Sequence, residues 1–99
     1  MSQDNGPTAA REVLVLRASK NTSPGSLAGA ISGQLREWRQ AIVDAVGPLA
    51  INITVKALIY ARNYMEAEGK DLYYYTVYHT VALDPEKDGT ATRFVIEVD

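Results

Sequence analysis

The apolar run Val13-Leu14-Val15-Leu16-Arg17-Ala18 is followed, after four polar residues, by Ser23-Pro24-Gly25-Ser26 and then by the small-residue stretch Leu27-Ala28-Gly29-Ala30-Ile31-Ser32-Gly33. A strand therefore feeds the open end of a helix, a layout that belongs to chains in which strands and helices alternate. Ser23 suits the N-cap, where its hydroxyl accepts from a free backbone N–H, and Pro24 suits the first helical position, where a missing N–H costs nothing. The unpaired N–H groups and the positive end of the helix dipole face outward beside Arg17, Ser19, Lys20, Asn21 and Thr22. Two readings stay open at this point: the segment simply caps a helix, or the cap and its neighbours receive an anion such as a phosphate.

The rest of the chain continues the alternation. Residues 1–11 are polar, contain Gly6-Pro7 and read as a loose tail, so the single domain is expected over 12–99. The first strand is expected over Glu12–Ala18. With Val13 and Val15 on one face and Leu14 and Leu16 on the other, it reads as buried on both sides and central. The first helix is expected over Pro24–Trp38, with Leu27, Ala28, Ile31, Leu35 and Trp38 on one stripe. Gly29 and Gly33 inside it each cost about 0.5–1 kcal/mol relative to alanine, which points to a close backbone approach, with the sheet as the expected neighbour.

Gln40–Val46 reads as a second strand, and Gly47-Pro48 turns it into a second helix over Leu49–Ala67, ended by Gly69. That helix has a narrow polar stripe of Asn52, Lys56 and Asn63 with Tyr60 beside them, while Ile51, Ile53, Val55, Leu58, Ile59 and Met65 spread around most of the girth. One sheet cannot cover so wide an arc, so a partner subunit is expected against it. Arg62 lies inside the arc, and an ion pair or a solvated tip is expected for it. Asp71–Leu83 and Thr90–Val98 then read as an antiparallel hairpin turned by Asp84-Pro85-Glu86-Lys87-Asp88-Gly89. Tyr73, Tyr74, Tyr75 and Tyr78 on its first strand are expected to serve core and cross-strand packing.

Composition excludes several functions. Ninety-nine residues make one domain that buries about 60–65% of its unfolded surface. At 46% hydrophobic and 22% charged residues, the chain reads as an ordinary globular protein. It has no cysteine, which rules out thiol chemistry and is compatible with the cytoplasm. No apolar signal region or membrane-spanning run is present, so neither secretion nor a membrane partner is expected. A formal charge of −2 means that any site for a polyanion must be local.

Ala18-Ser19-Lys20, Ser23-Pro24, Ser26, Ala28-Gly29-Ala30, Asn52, Val55-Lys56-Ala57, Ala61-Arg62 and Asp71-Leu72 together resemble the stage V sporulation protein S family, over about Leu14–Glu97. The resemblance implies an α/β (α+β two-layer) Alba-like fold, a βαβαββ sandwich of a small mixed sheet and two helices. It also implies assembly as a homodimer or higher homo-oligomer, a developmental or regulatory role in bacteria, and binding of DNA or RNA. By analogy with the wider Alba group, Lys20 with Ser19, Ser23 and Ser26 would meet phosphates. Lys56 and Arg62 carry over as residues typical of the family. The chain departs from the family in its tyrosine-rich third strand and in a hairpin tip where Asp84, Glu86 and Asp88 face the single Lys87. Carboxylates so placed repel a phosphate backbone.

Nothing in the chain predicts an enzyme. His79 is the only histidine and has no cysteine or carboxylate pair to complete a metal site, so packing at a core or edge is expected for it. There is no nucleophile elbow, and the glycines fit neither a dinucleotide fingerprint nor a phosphate loop, so no cofactor is implied. Two functions remain. In one, Arg17, Ser19, Lys20, Ser23 and Ser26, repeated by symmetry, grip the phosphates of a nucleic acid without reading bases. In the other, the sheet edges and the second helix, with Val55, Lys56, Leu58, Ile59 and Arg62 as the candidate interface, assemble protein subunits without nucleic acid.

Overall fold

The structure, a computed structural model, describes residues 14–84 and 87–99, with side-chain surroundings described outside 82–88. The element order is β1 (Val15–Ala18), α1 (Pro24–Trp38), β2 (Gln40–Ala45), α2 (Pro48–Ala67), β3 (Leu72–Asp84) and β4 (Lys87–Val98). The strands form one four-stranded sheet in the order β1-β2-β4-β3. β1 runs parallel to β2, whereas β2 and β3 each run antiparallel to β4. The fold is thus a two-layer α+β sandwich of a mixed sheet and two helices. The expected loose tail lies outside the described residues.

The core forms where one sheet face meets both helices. Ala41, Val43 and Ala45 of β2 and Phe94, Ile96 and Val98 of β4 pack with Leu27, Ala28, Ile31 and Leu35 of α1 and with Ala50, Ala57, Leu58, Ala61 and Met65 of α2. Small residues along α2 let it lie close, and buried Thr54 satisfies its hydroxyl by donating to the Ala50 carbonyl at 2.9 Å. α1 occupies the span read from its cap and periodicity. α2 begins at Pro48, one residue earlier than expected, behind Gly47 at φ 89°. That conformation suits glycine because it has no Cβ.

Three expectations change. β1 is an edge strand, not a central one: Leu14 is 69% and Val15 41% exposed, and only Ala18 of the strand is buried. Burial on both faces requires pairing on both sides, and β2 with β4 takes the centre. Gly29 and Gly33 face away from the sheet, and a Cβ added at either would meet nothing within 4 Å. The tyrosines of β3 are largely exposed, although the Tyr74 ring tilts against Phe94 at a centroid distance of 5.8 Å. β3 is itself an edge strand that only β4 flanks, so its side chains lack a neighbour on one side. His79, in the same strand, is partly buried. β4 starts at Lys87, three residues before its expected start. The remaining boundaries shift by a residue or two, and expected strand residues 12 and 13 lie outside the described range.

Candidate functional site

The loop from β1 to α1 is built by its own short polar side chains. The Ser19 N–H donates to Thr22 Oγ1 at 2.8 Å, the Thr22 N–H to the Ser19 carbonyl at 3.1 Å, and the Asn21 N–H to Ser19 Oγ at 3.2 Å. Hydroxyls that bond to nearby backbone stabilise a turn of this kind. Ser23 caps α1 as expected: its Oγ accepts from the Ser26 N–H at 3.3 Å. The short hydroxyl side chains thus hold the loop in shape, with Lys20 exposed on it and Arg17 exposed on the adjoining β1.

Arg17, Ser19 and Lys20 come together along a groove of about 330 Å³, lined also by Ala18, Asp44, Val46 and Val81. Val81, from the far end of β3, thus shares the groove with residues of β1 and β2. Ser23 and Ser26 stand outside the groove as a separate cap pair. Among the described residues, Asp44 is the one carboxylate lining the groove, and it is already neutralised. It accepts from Arg93 Nε at 2.7 Å and from Arg93 Nη2 at 2.9 Å, a two-pronged pair with the carboxylate nearly buried. The hydrogen bond to Asp44 raises the Arg93 pKa, and partial burial opposes it. Arg17, the register partner of Asp44 on β1, and Lys20 form no ion pair among the described residues. Two cations therefore line a groove whose acid is spent on a third.

The candidate interface forms a second, smaller groove of about 170 Å³ between α2 and β3. Val55, Leu58, Ile59 and Arg62 line it with Leu72 and Tyr74. Val55 and Ile59 are exposed, so the apolar arc of α2 is covered by sheet and α1 on only part of its girth. Arg62 is exposed, in keeping with a solvated tip, and its Nη2 also donates to the Leu72 carbonyl at 3.3 Å; it forms no ion pair among the described residues. Lys56 is exposed and lies outside this groove.

Sequence reasoning missed the Asp44–Arg93 pair. A carboxylate within the apolar run Ala41-Ile42-Val43-Asp44-Ala45 was its signal, since a buried carboxylate needs a cationic partner. The partner lies 49 residues away and emerges only with the β2–β4 register, where Asp44 faces Arg93.

The described residues form a two-layer α+β domain with a cation-lined groove by β1 and an exposed apolar rim along β3. The family model described as Stage V sporulation protein S (SpoVS) matches residues 14–99, and the chain belongs to that family. Membership places it among sporulation-related regulatory proteins. No helix of the described residues is long and apolar enough to cross a membrane.

Proposed function

We propose that this protein is a non-enzymatic, cytoplasmic regulator that binds DNA or RNA through the β1–α1 loop of a symmetric Alba-like oligomer. Arg17 and Lys20 contact phosphates, Ser19 holds the turn that presents them, and Ser23 with Ser26 keeps the positive end of α1 beside them. The observation that carries this reading is the charge state of the groove among the described residues, where Asp44 is tied to Arg93 while Arg17 and Lys20 form no ion pair. Asp44 thus subtracts little from the attraction that the two free cations exert on an anion. One groove offers few phosphate contacts, and symmetric copies multiply them along a backbone. Contacts to phosphates carry no base information, so binding on this reading is independent of sequence.

Lys20→Glu tests the reading in fluorescence anisotropy with labelled single-stranded and duplex DNA and RNA. The substitution is expected to weaken binding by about tenfold or more at low salt while leaving the oligomer intact, because it replaces an attraction with a repulsion at each copy of the site. Unchanged affinity in the variant contradicts it.

The second reading, an assembly protein that binds other subunits and no nucleic acid, is favoured by one observation. Val55 and Ile59 on α2 and the tyrosines of β3 expose much apolar surface. That reading predicts oligomers with no affinity for any polyanion.

A further inference from the structure

The outer edge of β3 is open in a way that sheet edges ordinarily are not. Edge strands are usually short, or carry a charge, a proline or a bulge that blocks another strand from adding. β1 follows that rule, with four residues that include Arg17. From Leu72 to Val81, β3 has no acidic residue, lysine, arginine, proline or glycine. β4 pairs with every residue of this stretch in regular antiparallel register, so the stretch is continuous and extended.

Its exposed side chains lie on both faces of the sheet. Tyr74 and Tyr78 stand opposite Ile96 and Thr92 on the helix side, where they are 41% and 84% exposed. Tyr73, Tyr75 and Val77 stand opposite Glu97, Val95 and Arg93 on the other side, at 46%, 55% and 45%. A partner laid on one face of the sheet covers only half of this set. A strand added at the edge covers both halves, because its own side chains alternate above and below.

We infer that β3 pairs edge to edge with β3 of a second copy, joining two four-stranded sheets into one continuous sheet across a two-fold axis. This deepens the oligomer of the proposed function and rests on it. Self-pairing fits the charge pattern, since an antiparallel two-fold sets Leu72–Val81 against itself and no like charges meet. The area fits as well. At about 200 Å² per tyrosine, the four exposed rings offer about 450 Å² per subunit. Val77 and the neighbouring α2 residues Val55 and Ile59 bring the patch toward the roughly 800 Å² per partner of a stable interface.

Sedimentation velocity on the full chain tests this, comparing wild type with Tyr75→Lys and Tyr78→Lys, which carry one lysine on each face of the strand. Both side chains are exposed, so circular dichroism is expected to show an unchanged fold. The expected result is a wild-type dimer or even-numbered oligomer, weakened about tenfold or more in both variants, with β3 amides gaining hydrogen-exchange protection as wild-type concentration rises. Weakening in only one variant would indicate docking on one face and overturn the inference, and so would an effect in neither. A wild-type monomer that still binds nucleic acid would overturn the edge pairing and spare the phosphate grip. An edge-paired oligomer that binds no nucleic acid would do the reverse.

Discussion

The two edges of the sheet differ in nearly every property that decides what a strand can meet. β1 is four residues long, carries Arg17 and leads into a loop that presents Lys20. β3 is thirteen residues long and lacks charge over Leu72–Val81, with aromatic rings on both faces. One edge offers electrostatic attraction, which is long-ranged and weakened by salt. The other offers apolar surface and an unpaired backbone, which act only on contact. The two proposed roles, a charged ligand and a second copy, therefore draw on largely different surfaces.

The Asp44–Arg93 pair stands between the edges, and breaking it is the sharpest way to disturb both. Arg93→Ala leaves the nearly buried Asp44 without its partner, an expected loss of about 2–3 kcal/mol in chemical denaturation. The freed carboxylate beside Arg17 is also expected to weaken polyanion binding. A variant of unchanged stability and affinity would mean that the pair neither holds the sheet nor spares the groove.

A smaller effect, of opposite sign, comes from α1. Gly29→Ala fills open space on the outer face of the helix, so it is expected to stabilise the protein by about 0.5–1 kcal/mol in thermal melting. Destabilisation would show that another surface covers this face in solution, and that the apolar β3 rim is not the only contact between copies.

The smallest effect lies at the start of β3. The Tyr73 phenol is raised above its ordinary value of 10.0, by partial burial first and by the charge and hydrogen bond of Glu97 next, with Asp99 adding and Arg39 opposing. The unfolded chain ionises this tyrosine more readily than the folded one does. Any stability it contributes is therefore present below about pH 10 and lost as pH rises through the folded value. Tyr73→Phe is expected to show a shallower alkaline loss in urea midpoints measured from about pH 9 to 11. Identical slopes would remove Tyr73 from the groups that titrate differently on folding.

The legible and illegible parts of the sequence divide along local and non-local physics. α1 could be read to the residue, because Ser23, Pro24 and the Leu27-Ile31-Leu35 spacing act within one or two turns of each other. The loop cations were legible for the same reason. Strand order was not, since nothing near Val15 records that β1 pairs on one side only. Apolar alternation shows that a residue suits a sheet but not how many neighbours the strand will have, which is why Leu14, Val15 and the β3 tyrosines read as buried. The glycines of α1 misled in a similar way, because low helix propensity marks a tolerated cost as readily as a tight contact. The Asp44–Arg93 pair depends on a register that no local pattern encodes.

The most direct test of phosphate gripping is fluorescence anisotropy on two unrelated duplex sequences of equal length, titrated at several salt concentrations with an oligomer verified beforehand. Log affinity is expected to fall linearly with log salt, with one common slope and nearly equal affinities for both sequences. Affinity indifferent to salt, a strong preference for one sequence, or no binding at tens of micromolar (about the weak end of non-specific affinity) would contradict it.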